Sequence, residues 1–163
     1  MPPESPSPVA IALGANLGNR KENFQRAIDS LISRPEIGDF RASSFYETAP
    51  VGYSEQPPFL NAAAFFLYQG NPEQLLAVLQ SIEKDAGKAT PFPNGPRTLD
   101  LDIIFFGGLQ QENPGLEIPH PRWAERSFVV DPLKELTKLV STEQLPSLWR
   151  EKIALAAQTL GRH

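Results

Sequence analysis

Apolar and polar residues change period several times along this chain, and each change marks an element. Val9, Ile11 and Leu13 alternate with small residues up to Gly14, the two-residue period of a strand with one buried face. From about Arg20 to Ser33 the apolar positions Phe24, Ala27, Ile28 and Leu31 recur at helical spacing, which predicts an amphipathic helix. Arg41 to Thr48 reads as a second strand and Leu60 to Tyr68 as a third, with a proline-rich loop between them. Asn71-Pro72-Glu73-Gln74 is a helix start: an N-cap, proline at the first helical position and an acid in the first turn. Leu75, Leu76, Leu79 and Ile82 give that helix a buried stripe, and Gly87 gives it a stop. A fourth strand runs through Leu99 to Phe106 and ends at the Gly107-Gly108 turn. Beyond it, Leu116 to Ile118 reads as a short strand and Pro121 to Leu139 as a mostly helical segment. Ser147 reads as the cap of a last amphipathic helix reaching about Leu160.

Strand, helix, strand, strand, helix, strand is the order of two βαβ halves. The expected class is therefore α+β: a ferredoxin-like (βαββαβ) antiparallel sheet with helices on both faces and an appended C-terminal helical part. A length of 163 residues suits one domain. Residues 1–8, rich in proline and serine, are expected to form a disordered tail, and residues 9–161 a single domain. Most of the remaining prolines, of 17 in all, stiffen loops at 49–58, 91–96 and 114–121, and long stiff loops in a small domain tend to be functional.

Charge and cysteine content narrow the field. A net charge of −4 gives no reason to expect nucleic acid as a partner. No apolar run reaches membrane-spanning length, and no signal peptide opens the chain. The absence of cysteine excludes disulfides and thiolate metal sites and fits a cytoplasmic protein.

Within the fourth strand, Asp100 and Asp102 are the only residues from Leu99 to Phe106 that are not hydrophobic. Two apart on a strand, they project to one face, about 6.5–7 Å apart at the backbone, with Leu99, Leu101 and Ile103 on the other. Carboxylates planted in an apolar strand are costly unless paired or metal-bound. This pair could share hard cations that clamp a polyphosphate, and Arg97 just upstream could neutralise phosphate oxygens. A solvated face of a half-exposed sheet is the competing reading.

Other motifs are weaker alone. Gly14 to Arg20 follows a strand and opens a helix as phosphate loops do, but lacks the Gly-Lys-Ser/Thr ending. In Tyr46 to Asn61, Phe59 could stack on a flat heterocycle while Thr48 and Asn61 supply in-plane hydrogen bonds; a surface loop anchored to the core by Phe59 and Leu60 is the preferred reading from chemistry alone. His120 stands beside prolines with Arg122 and Arg126 four apart, a pair that would share a helix face. A Gly-x-Ser-x-Gly elbow, a cysteine nucleophile and a His-Glu-x-x-His pattern are all missing, so nothing suggests a covalent intermediate.

Four segments in combination resemble one family, the hydroxymethyl-dihydropterin pyrophosphokinases of folate biosynthesis: Leu13–Arg20, Tyr46–Asn61, Gly95–Gly107 and Ile118–Pro132. The run Pro96-Arg97-Thr98-Leu99-Asp100-Leu101-Asp102 followed by Pro119-His120-Pro121-Arg122 is the specific part. The resemblance implies transfer of the terminal diphosphate of ATP to the hydroxymethyl group of a reduced pterin, with AMP released. It implies two Mg2+ ions on Asp100 and Asp102, and ATP, the co-substrate, held by Glu83, Lys88, Arg97, Ile103, His120 and Arg126. Phe59 and Phe128 would sandwich the pterin, and Thr48, Val51, Asn61 and Asp100 would contact it. Asp100, Asp102, Arg97 and Arg126 would carry the catalysis. The implied partners are these small molecules, with no nucleic acid and no membrane, and the chain is expected to be a monomer.

One departure from the family pattern bears on function. Where relatives carry several cations and an aromatic before Gly-Pro-Arg, this chain reads Gly87-Lys88-Ala89-Thr90-Pro91-Phe92-Pro93-Asn94, with Lys88 the sole cation. Ala49 stands where many relatives have proline. A catalytically weakened pterin- or nucleotide-binding module and a generic ferredoxin-like interaction domain are the alternatives.

Overall fold

The computed structural model describes residues 5–16, 19–48, 58–87 and 99–161. Its centre is β1 (Ser7–Ala15), which pairs antiparallel with β4 (Phe59–Tyr68) on one side and β5 (Asp100–Phe106) on the other. On the far side of β4 lie β2 (Ile37–Ala42) and β3 (Tyr46–Thr48), both antiparallel to it. The order is thus β2-β4-β1-β5, and β5 is an edge. Ser7 and Pro8, which the sequence assigns to the tail, already pair with Tyr68 and Leu67.

Helices pack on both faces of this sheet. The α1 helix (Arg20–Ile32) starts at Asn19, whose side chain accepts from the Glu22 N–H at 3.1 Å. The α2 helix (Pro72–Asp85) has a reciprocal cap: Asn71 Oδ1 accepts from Gln74 N, and Gln74 Oε1 accepts from Asn71 N, each at 2.8 Å. It ends at Gly87, whose φ of +74° is open to glycine at little cost. Phe24, Ile28 and Leu31 of α1 and Leu75, Leu79 and Ile82 of α2 bury against Val9, Ile11, Leu13 and Phe66. Leu76, expected in that stripe, is only partly buried at its margin.

The opposite face holds a second core. There Ala10, Ala12, Phe65 and Phe105 meet Val130 and Leu133 of α3 (Ser127–Leu139) and Trp149 and Ile153 of α4 (Ser147–Leu160). Trp149 stacks on Phe105 with ring centres 5.0 Å apart and donates its Nε1–H to the Gly107 carbonyl at 2.8 Å, which fixes α4 to the end of β5.

Several local expectations need correction. Arg41 to Thr48 is two strands, not one. At the break, Ser43 Oγ accepts the Ala63 N–H at 2.9 Å, a side chain standing in for the sheet ladder, so residues 43–45 leave strand geometry. Leu116–Ile118 is a strand, β7, but its partner β6 (Gln111–Asn113) carries no apolar alternation and was not expected. Ser147 is the first residue of α4 rather than its cap; Pro146 holds the cap position and makes no side-chain bond. Arg122 and Arg126 do not share an α-helical face, because a single 3₁₀ turn at Trp123–Glu125 lies between them. Arg122 is exposed and paired with Glu125 at 3.2 Å, whereas Arg126 occupies the N-cap position of α3 without a side-chain capping bond.

Candidate active site

The aspartates lie where an edge strand changes its register. Ile11 of β1 pairs with Ile103, but Ala10 pairs with Phe105, so Ile104 is an extra residue in β5. Leu99, Leu101 and Ile103 enter the first core, Ile104 and Phe105 both enter the second, and Phe106 returns to the first. Ahead of the bulge the alternation is regular. Asp100 and Asp102 therefore share the face covered further along by α3 and α4, and both are half-buried.

Cross-strand register sets what lies beside them. Asp100 pairs with Gly14, Gly14 with Asn61, and Asn61 with Tyr46, one continuous row across four strands. Residues directly opposite on paired strands share a face, so Asn61 and Asp100 flank Gly14, which has no side chain. Two strand spacings separate their backbones by about 10 Å. A Cβ built on Gly14 would sit 3.6 Å from Asn61 Oδ1, so the asparagine leans over the glycine. Asn61 is buried, and its Nδ2 donates to Thr48 Oγ1 at 2.6 Å, a bond that fixes the amide's orientation. Phe59, two residues before Asn61 and half-buried, projects to the same face.

The other side chains approach from the C-terminal part. The His120 N–H donates to the Ile104 carbonyl at 3.1 Å, which lays residue 120 along β5. Its Nδ1 accepts from the Arg122 N–H at 3.3 Å, so the neutral ring carries its proton on Nε2. Burial, then the Arg126 charge, push the His120 pKa down; Asp100 pulls it up but is outweighed. The imidazole is neutral near pH 7, and its electrostatic partners place His120, Arg126 and Asp100 together. The Arg126 guanidinium sits 5.9 Å from the Phe128 ring centre, and half-buried Phe128 packs beside the second core at the start of α3.

Glu83 has a more specific place than the sequence suggests. It is 6% exposed, and its Oε2 accepts from the Leu101 N–H at 2.8 Å, between the two aspartates. Among the described residues Leu101 lies on the outer strand of the sheet, where its outward ladder donor meets no further strand. Glu83 therefore braces the segment that presents Asp100 and Asp102. Glu83→Leu is expected to lower unfolding free energy in urea by about 1–3 kcal/mol, the cost of an orphaned buried donor. An unchanged midpoint and slope would show that the brace contributes nothing.

Ile103, expected near ATP, has its side chain 5% exposed in the first core, on the face away from the aspartates. Val51, Lys88 and Arg97 lie outside the described residues, as do the depleted loop and most of the proline-rich one. Sequence reasoning gives no separate site role to three contributors: Gly14 and Arg20, read only as the bounds of a strand-to-helix turn, and Glu135; Arg20 donates to Glu47 Oε1 at 2.9 Å and to the Pro58 carbonyl at 2.8 Å. Among the described residues, no three His, Cys, Asp or Glu side chains form a metal site. The donor set still suits Mg2+, which takes one or two carboxylates and completes its shell with water and phosphate oxygens.

Two aspartates and a buried amide on one face of a sheet end, separated by a glycine, suit a small-molecule phosphotransferase. Residues 10–138 match the 7,8-dihydro-6-hydroxymethylpterin-pyrophosphokinase (HPPK) family, and the chain belongs to it. It is 41% identical to the 2-amino-4-hydroxy-6-hydroxymethyldihydropteridine pyrophosphokinase of Bacillus subtilis over 133 residues, covering 82% of this chain and 80% of that protein. It is 48% identical over 128 residues to a mitochondrial folate synthesis bifunctional protein of Arabidopsis thaliana, covering 78% of this chain but only 23% of the relative. The chain thus spans about a quarter of the length of such bifunctional relatives. A crystal structure of Plasmodium falciparum HPPK-DHPS aligns with a TM-score of 0.61 at 13% identity, covering 96% of this chain and 45% of that one, a likeness of fold.

Proposed function

We infer that this chain transfers the terminal diphosphate of ATP to the hydroxymethyl group of 6-hydroxymethyl-7,8-dihydropterin, giving AMP and the pterin diphosphate, a step of folate synthesis. The observation that carries this reading is the row Asn61–Gly14–Asp100, which sets a buried amide and a carboxylate on either side of an open floor. A pterin lying over Gly14 meets the donor and acceptor pattern of Asn61 and Thr48 at one edge and presents its hydroxymethyl group toward Asp100 and Asp102. Phe59 from the sheet and Phe128 from α3 supply the two stacking faces.

Asp100 and Asp102 would hold two Mg2+ ions, which would supply positive charge at the ATP phosphates. Arg126, fixed over Phe128, and Arg97 place positive charge where negative charge develops on the transferred group. Neutral His120 donates from Nε2 to a phosphate oxygen, and Lys88 adds a cation. Glu83 and Ile103 border the nucleotide, the isoleucine through its backbone. The hydroxyl oxygen bonds to the β-phosphorus, the bond from that phosphorus to the α–β bridging oxygen breaks, and the hydroxyl proton passes to water. No side chain is assigned as its base; positioning supplies the activation.

The order β2-β4-β1-β5 supports a ferredoxin-like sheet. No helix among the described residues is long and apolar enough to cross a membrane. The absence of cysteine supports the cytoplasm as the place of action, and the chain is proposed to act as a monomer on small-molecule substrates.

Purified protein mixed with the dihydropterin, ATP and magnesium is expected to form AMP and pterin diphosphate one for one, and neither without metal. Pterin binding without product would make the chain a binding module instead.

A further inference from the structure

We propose that Glu135 of α3 is a positioning residue for the pterin pocket: its carboxylate holds β3, and Thr48 with it, against the helix that carries Phe128. The proposal rests on the pterin reading of the site. Three residues long, β3 pairs among the described residues with β4 alone, and the ladder before it is broken at residues 43–45, where Ser43 still bonds to Ala63 but Ser44 and Phe45 pair with no strand. A strand that short holds few ladder bonds of its own. Beyond the Arg20–Glu47 ion pair, what ties it down is Glu135. Its Oε2 accepts from the Ser44 N–H at 2.8 Å and from Ser44 Oγ at 3.0 Å, and its Oε1 accepts from the Tyr46 hydroxyl at 2.6 Å.

Helical geometry gives this clamp its consequence. Glu135 is seven residues after Phe128, two turns along the same face of α3. Tyr46 is directly opposite Asn61 and Thr48 directly opposite Phe59. The clamp therefore joins the sheet edge bearing Phe59, Asn61 and Thr48 to the helix bearing Phe128, and so sets the gap into which a flat ring must fit. The helix is anchored independently by Val130, Leu133 and Leu136 in the second core, which leaves β3 as the part the clamp restrains. Asp100, Asp102 and His120 are positioned from β5 and owe nothing to it.

The electrostatics agree with a carboxylate serving neutral donors. Desolvation pushes the Glu135 pKa up, but the bonds from Tyr46 and from Ser44 outweigh it and the net shift is downward. The hydrogen bond to Glu135, burial, and the Glu135 and Asp131 charges push the Tyr46 hydroxyl up to about 12. Carboxylate and protonated phenol thus coexist across the neutral range.

The test measures binding of 6-hydroxymethyl-7,8-dihydropterin and, separately, of a non-hydrolysable Mg-ATP analogue by calorimetry, with thermal unfolding of each variant. Glu135→Ala is expected to weaken pterin binding about tenfold or more and to leave nucleotide binding unchanged. Glu135→Gln, which keeps one acceptor, recovers part of that loss. Tyr46→Phe, which removes a single bond and folds normally, shows a smaller loss in the same direction and decides the matter if Glu135→Ala does not fold. Pterin affinity unchanged in the folded variants, or pterin and nucleotide affinity falling together, overturns the proposal while leaving the functional reading in place. Failure of the unaltered protein to bind pterin overturns both.

Discussion

Asp100→Asn is expected to cut turnover by about 10²–10³-fold while leaving pterin affinity essentially intact. Asparagine keeps the shape of the side chain and its place in β5 but removes the charge. In the proposed reading that charge is spent on cations at the phosphates, so its loss is felt as phosphate charge redistributes and hardly at all in holding the ring. A second readout does not depend on turnover. Asp100 pulls the His120 pKa upward against burial and Arg126. Without it the histidine should titrate lower still, measurable by NMR as a downward move of its midpoint. A variant that keeps near-normal turnover would remove Asp100 from the catalytic set. An unmoved histidine midpoint would break the link between residues 100 and 120.

How far the sequence could be read depended on whether the deciding contact was local. The α2 helix was legible because cap, proline, stripe and glycine stop all lie within residues 71–87, and each acts on its own neighbours. The strand at 41–48 was misread because its break comes from Ser43 meeting Ala63, twenty residues away, and nothing in its own alternation marks that exchange. The bulge at Ile104 was hidden for a similar reason. Four consecutive apolar residues fit any register, and only pairing with β1 shows that two of them face the same core.

The candidate site divides the same way. Two aspartates in an apolar strand violate the pattern around them, and such violations are where function is expected. Glu83 was assigned from the family resemblance to ATP, but its bond to the Leu101 N–H required knowing that β5 is an edge. Glu135 gave no signal at all: a carboxylate in a charged, amphipathic helix looks like any solvated one until Ser44 and Tyr46 arrive from about ninety positions earlier. Chemistry was legible where residue type was out of place, and positioning was not, because positioning is made by the fold.

Gly14 gives the clearest separation of pocket from scaffold, and Gly14→Val is expected to weaken pterin binding by about 10–100-fold while the protein stays as stable or becomes more so. The backbone at Gly14 is not in the left-handed region, and a Cβ there meets Asn61 Oδ1 at 3.6 Å, an ordinary contact. A β-branched residue is favoured in a strand, where glycine weakens it by roughly 0.5–1 kcal/mol. Local physics therefore argues for a side chain at this position. In the proposed pocket, however, the valine methyls would rise from the floor between Asn61 and Asp100 and occupy the plane of the ring, and overfilling a fitted site costs about 1–3 kcal/mol. Gly14→Ala should fall between the two, a graded loss of pterin affinity without loss of melting temperature. Binding unchanged by valine would mean that the ring lies elsewhere on the sheet, and that the row Asn61–Gly14–Asp100 is architecture alone.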